Sequence, residues 1–249
     1  FFIIMILGLI PARLKSKRLK DKLLLKLKNI PLIIHTMKHA SRSKKLNKLF
    51  VCTDSKKIFD VVKKNNGQPV ITSGKYTNGT ERIASVAKKY NAKLVVDIQG
   101  DEIFIDPTLI DKLINFHLKN YKYDIIVPCT KTKNYKDKSI VKFIFNNKHE
   151  VTNMTRRDIF FKNNSKFLYK QVDIISFKPK KLKLFSELKR TFNEKNNNIE
   201  LLRAIDNNFK IKTFIVNTDS FSINTKSDYL KAKRYLNSND GKKKFKNIN

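Results

Sequence analysis

Three polar segments of the chain hold side chains suited to handling a phosphate ester. PARLKSKRLKDK (11–22) carries Arg13, Ser16, Arg18 and Lys22 directly after an apolar run. Cations in a loop that leaves a strand can neutralise a triphosphate and the pyrophosphate departing from it. In TSGKYTNGTER (72–82), Gly79 and Thr80 open a helical pattern, and the free N–H groups there can meet a phosphate or a base edge. DIQGDE (97–102) sets Asp101 and Glu102 behind a glycine at a strand terminus. Carboxylates so placed suit a magnesium ion that bridges phosphates, because this ion favours one or two carboxylates plus substrate oxygens. Each segment also has a plainer reading: a solvated basic loop, a simple N-cap, an acidic turn. The glycine patterns of a Walker A loop and of GxGxxG are both missing.

The elements between these segments must bring them together. IIMILGLI (3–10) reads as a central parallel strand, apolar on both faces. A helical pattern over 30–43 precedes the strand KLFVCT (48–53), the helix SKKIFDVVKKNN (55–66) and the short strand PVITS (69–73). The helix GTERIASVAKKYN (79–91) leads to the strand AKLVVDIQG (92–100), then to a helix over 107–120 and a strand over 123–130. This alternation predicts a doubly wound, mostly parallel α/β core over 1–130, with ligands at the carboxyl ends of its strands. The pattern then changes. Strands at 139–146, 166–177 and 209–217, with helices at 199–208 and 227–237, predict a partly antiparallel second half over 131–237. A basic, frayed tail over 238–249 is expected to follow.

The composition narrows the function class. The 249 residues include 54 Lys+Arg against 21 Asp+Glu, a net charge of +33, yet only 9 of the cations are Arg. They are spread along the chain rather than gathered in a stripe, and Arg, which grips phosphate or guanine bidentately, is scarce. Nucleic acid is therefore not the expected partner; solvated Lys on helix faces accounts for most of the charge. The opening apolar run stops at Pro11, about half a membrane span, so a buried strand, no membrane association and a cytoplasmic location are expected. Cys52 and Cys129 lie in apolar runs and are expected to be buried free thiols.

Taken together, the three loops resemble those of the acidic-sugar cytidylyltransferases, namely the 3-deoxy-manno-octulosonate (Kdo) and acylneuraminate cytidylyltransferases. The family's IPAR-x-x-S-x-RLPGKPL stands here as IPARLKSKRLKDKLL, with Arg13, Ser16, Arg18 and Lys22 in register and Lys20, Asp21 and Leu23 replacing PG and P. Pro31 and His35 match the next stretch, in which Asn29 and Ile30 replace Gly and Lys. GTER is kept as Gly79–Arg82 behind Asn78, and QGDE as Gln99–Glu102. TNMTRRDIF (152–160), YKQVDIISF (169–177), the 199–208 helix and SINTKSDYLKAK (222–233) continue the resemblance in order through nearly the whole chain.

The resemblance implies a nucleotide-diphospho-sugar transferase-like fold and transfer of a cytidylyl group from CTP to the anomeric hydroxyl of an acidic 2-keto-3-deoxy sugar. It implies Lys22, Arg13 and Arg18 on the phosphates, and Ser16, Asn78, Gly79, Thr80 and Gln99 on the nucleotide. Arg156, Gln171 and Glu200 would hold the sugar, and Asp101 and residue 224 the magnesium. It also implies a homodimer formed through the strands at 139–146 and 166–177. Two departures matter. Asn224 stands where the family has a metal-binding Asp; Asp219 or Glu102 could replace the lost charge, or the chain could bind nucleotide or a partner without turnover. Gln171, in place of a His, points toward a sugar other than Kdo.

Overall fold

The computed structural model describes residues 4–16, 18–134, 136–158, 168–218 and 222–246. In chain order they form β1 (Ile6–Ala12), a 3-10 turn (Lys22–Leu24), β2 (Lys26–Leu27), β3 (Ile30–Pro31), α1 (Leu32–Ala40), β4 (Lys48–Thr53), α2 (Lys56–Lys64), β5 (Pro69–Ile71), α3 (Gly79–Ala87), β6 (Leu94–Ile98), α4 (Pro107–Lys119) and β7 (Ile125–Thr132). The second half contains β8 (Lys142–Phe145), β9 (Val151–Thr155), β10 (Leu168–Gln171), β11 (Ile174–Phe177), α5 (Pro179–Glu187), α6 (Phe192–Asn197), α7 (Leu201–Asp206), β12 (Ile211–Ile215), α8 (Lys226–Asn237) and α9 (Asn239–Lys246).

Among the described residues ten strands share one sheet, in the order β5-β4-β1-β6-β11-β7-β10-β8-β9, with β12 also paired to β7. β1 lies parallel to β4 on one side and to β6 on the other. Its residues alternate between two cores: Leu7 and Leu9 pack with Ile83, Phe185 and Leu202, whereas Ile6 and Ile10 pack with Ile33, Ile58 and Ile110. Helices on both faces are the reason that the strand is apolar throughout. From β1 the chain goes to β4 and β5 on one flank, then crosses to β6 on the other. The winding thus reverses between β1 and β6, the kind of place at which open α/β sheets bind ligands beyond the carboxyl ends of their strands. The second half adds β11, β10, β8 and β9 antiparallel to their neighbours, and β12 returns parallel to β7.

Three features differ from the sequence reading. The first strand begins at Ile6 and runs through Pro11 to Ala12, because Pro11 and Ala12 continue the register with Cys52 and Thr53 of β4. The strand expected over 166–177 is broken at Val172–Asp173. There the Val172 N–H turns to the Pro128 carbonyl at 3.0 Å, and the Ile174 N–H closes back on Val172 at 2.8 Å. The basic tail is helical as far as Lys246: Ser238 starts α9, its carbonyl accepting from the Lys242 N–H at 2.9 Å and its hydroxyl from the Gly241 N–H at 3.2 Å. Both cysteines are buried free thiols. No helix among the described residues is long and apolar enough to cross a membrane.

Candidate active site

Lys22, Asp101 and Asn224 are 202 positions apart at their extremes, yet their side chains meet. Lys22 Nζ forms an ion pair with Asp101 and also donates to Asn224 Oδ1 at 3.3 Å. Arg18 Nη2 donates to the same Asn224 oxygen at 2.6 Å. A small apolar cluster assembles this group. Leu27 and Leu32 follow Lys22, Ile103 and Phe104 follow Asp101, and Ile223 precedes Asn224; these five bury one another together with Ala232 and Leu236 of α8. Each polar residue is thus carried in by its apolar neighbours. Backbone bonds fix the rest: the Ile223 N–H donates to the Asp101 carbonyl at 3.2 Å, and Asp228, which closes the capping box of α8 with Thr225, also accepts the Asn224 N–H at 3.0 Å.

The basic loop and the turn after it take left-handed backbone at residues other than glycine. Asp21 (φ 49°) and Asn29 (φ 64°) occupy left-handed backbone conformations that Gly favours and that Asp and Asn tolerate best among other residues. Leu23 is buried and anchors the 3-10 turn that aims Lys22. Lys22 is therefore no solvated loop residue, since its side chain is only 13% exposed. Arg13 is exposed and Ser16 half-buried on the same loop, and among the described residues neither bonds to the Lys22 group.

A second group lies at the start of α3. Asn78 caps the helix, its side chain accepting the Glu81 N–H at 2.8 Å. A Cβ on Gly79 would stand 3.0 Å from Pro11 Cγ, so glycine allows the helix start to approach the end of β1. Gln99 Nε2 donates to both oxygens of Asp97 at 3.1 Å, and Thr80 Oγ1 donates to Glu200 at 2.7 Å. Burial pushes the Glu200 carboxyl up to about 7, opposed by the Thr80 bond. Burial, and then the charge of Glu200, likewise raise the fully buried Asp97 well above the usual carboxylate range.

Glu200 therefore lies with Thr80 beside the nucleotide motif, whereas Arg156 and Gln171, the other residues expected to hold a sugar, lie on the side of Asp173. Arg156 donates to the Ser139 carbonyl, and its buried Nε has no partner among the described residues. Gln171 reaches toward Asp173 at 3.5 Å. Asp219 lies outside the described residues, and Glu102 is buried, with 3% of its surface exposed.

Sequence reasoning assigned no role to Asp97, Asp173 or Arg203. Arg203 is fully buried, pairs with Glu194 at 2.8 Å and with Glu81 at 2.9 Å, and so ties α7 to the first turn of α3. Arg82, the last residue of GTER, bonds Thr72 and forms a 2.7 Å ion pair with Asp54, joining α3 to the ends of β4 and β5. The only local signal for Asp97, Asp173 and Arg203 was an ionisable side chain inside an apolar run.

A profile of the cytidylyltransferase family matches residues 7–214. The chain belongs to the cytidylyltransferase family. It is 34% identical to a 3-deoxy-manno-octulosonate cytidylyltransferase of Thermodesulfovibrio yellowstonii over 92% of this chain and 96% of the relative. It is also 34% identical to the enzyme of that name from Rickettsia canadensis, over 91% and 94%. A solved structure described as a CMP:2-keto-3-deoxy-manno-octonic acid synthetase complexed with CTP superposes with a TM-score of 0.88 at 24% identity, covering 93% of this chain and 98% of the other. That likeness confirms the expected nucleotidyltransferase fold, and the family makes this cytidylyltransferase a nucleotidyltransferase enzyme.

Proposed function

We propose that this cytidylyltransferase transfers the cytidylyl group of CTP to the anomeric hydroxyl of 3-deoxy-manno-octulosonate. The observation that carries the reading is the convergence of Lys22, Arg18, Asp101 and Asn224 on the carboxyl side of the sheet, where the winding reverses between β1 and β6. The sugar is taken from the relatives, which share about a third of their residues with this chain along nearly its whole length. They outweigh Gln171, whose amide lies toward Asp173.

In the reaction the sugar hydroxyl attacks the α-phosphorus and releases its proton to solvent, the bond to the bridging oxygen breaks, and pyrophosphate leaves with that electron pair. Negative charge grows on the phosphate oxygens, and preorganised cations lower its energy. Lys22 and Arg18 serve there, with Arg13 at the mouth of the loop. Gln99 and the Asn78–Thr80 turn orient the nucleoside. Arg156 receives the sugar carboxylate, for which its unpaired buried Nε is suited. The donor set also fits magnesium: Asp101 and the Asn224 carbonyl are hard oxygen ligands that already share one cation, the Lys22 ammonium. When bound, the ion would neutralise charge on the phosphates. A homodimer through the β8–β9 hairpin and β10 accords with the exposed Ile144 on β8 and the edge position of β9.

The test is pyrophosphate release with CTP, magnesium and a panel of acidic sugars. Release with 3-deoxy-manno-octulosonate, and little with UTP or ATP, is expected. CTP binding with no release for any sugar would leave a nucleotide-binding homologue without turnover.

A further inference from the structure

The charge balance of the Lys22 group leaves a gap. Asp101 is its one carboxylate, and Lys22 already pairs with it. Asn224 offers a neutral carbonyl, which Arg18 and Lys22 both occupy. A divalent ion must compete with these cations, and Asp101 and Asn224 together supply only one formal negative charge to it.

We propose that Asp173 is the second anionic ligand of the divalent cation at this site and supplies the charge that residue 224 lacks. The inference rests on the magnesium reading given above. Asp173 stands in the break between β10 and β11, and that break joins it to the site through its backbone and its side chain. Its carbonyl accepts the Gln99 N–H at 3.3 Å, two residues before Asp101. Its Oδ2 accepts from Ser222 Oγ at 2.9 Å, two residues before Asn224. The intervening Ile223 N–H bonds the Asp101 carbonyl at 3.2 Å. Asp173 is thus held between the two segments that carry Asp101 and Asn224. Its Oδ1 has Gln171 only at the 3.5 Å limit of a hydrogen bond, which leaves lone pairs for another partner.

The energetics point the same way. A carboxylate placed in the apolar run VDII is costly to bury unless it is compensated. Burial, and after it the charge of Asp101, raise the Asp173 carboxyl above its ordinary range, while Ser222 and Arg156 only partly offset this. Asp173 feels the charge of Asp101, and a cation bound by both would relieve that repulsion.

The test is direct metal binding, by calorimetry or Mn2+ paramagnetic resonance, of MnCl2 to the full chain holding α,β-methylene-CTP, whose P–C bond is not cleaved. Asp173→Asn is expected to weaken Mn2+ binding about tenfold or more. Asn224→Asp is expected to tighten it, and the variant with both changes to bind close to the parent affinity. Parent-like affinity in Asp173→Asn, or no Mn2+ binding by the parent complex, overturns the proposal. Should Asp173→Asn fail to fold, Ser222→Ala is read instead: removing the hydroxyl that aims Asp173 should weaken Mn2+ severalfold, and unchanged binding overturns the proposal. Pyrophosphate release is measured separately. A chain that binds Mn2+ in this pattern yet turns over no sugar refutes the proposed reaction, and an active chain whose metal affinity ignores residue 173 refutes the metal assignment.

Discussion

Replacing Lys22 by Met keeps the hydrophobic stem and removes the ammonium, which separates its two roles. Its side chain is 13% exposed and that of Asp101 17%, so the pair lies between two regimes. Exposed pairs contribute up to about 1 kcal/mol, whereas removing one partner of a buried pair costs about 3–5 kcal/mol. The expected folding cost is about 1–2 kcal/mol, above the roughly 0.5 kcal/mol that a solvated loop residue would carry. Since small domains hold about 5–15 kcal/mol in reserve, the variant stays folded. Losing a preorganised charge at a reacting phosphate costs about a hundredfold to a thousandfold in rate, or about 3–4 kcal/mol of barrier. Urea melts measure the first quantity, and initial rates of pyrophosphate release at saturating CTP and sugar measure the second. A kcat equal to the parent's refutes the reasoning, because Lys22 would then be only a tie between loops.

Glu200→Gln tests the half-buried carboxyl that Thr80 bonds. Its pKa is raised by folding, so its contribution to stability is fully present below about 4.5 and is lost as pH rises through about 7. Between pH 5 and 8 the parent should lose on the order of 2–3 kcal/mol relative to Glu200→Gln in paired denaturant melts, and parallel curves would refute this. Arg203→Met strands two buried or partly buried carboxylates, Glu194 and Glu81, and should cost about 3–5 kcal/mol by the same melts. Asn29→Ala should cost about 1 kcal/mol through its left-handed φ, whereas Asn29→Gly should not; equal melts for the two would show that the backbone is unstrained there.

Much of this architecture was legible because the parallel half writes itself locally. β1, β4, β6 and β7 are apolar on both faces, and the caps at Ser55, Asn78 and Asp106 mark the helices between them. The meeting of Lys22 with Asp101 accords with the expectation that ligands sit at the carboxyl ends of the parallel strands. What stayed hidden had no local signature. The partners of Arg203 include Glu81, 122 positions away, and Thr80 and Glu200 are 120 apart. The break at Val172–Asp173 lies in a run that alternates like an ordinary strand, and it depends on a carbonyl of β7 that sequence does not show to be near. Asp21 and Asn29 concealed left-handed turns, because neither residue type announces a positive φ as glycine does.

The apolar cluster under Lys22 has a consequence in time. Leu27, Leu32, Ile103 and Phe104 leave the ribosome well before Ile223, Ala232 and Leu236, which complete their burial. About 120 residues separate Asp101 from Asn224, on the order of ten seconds of synthesis. During that interval the parallel strands can pair, yet the basic loop and the acidic turn lack the helix that clamps them together. A nascent chain can therefore be well folded at its sheet and still inert at its phosphate site, with competence arriving in one step when α8 docks.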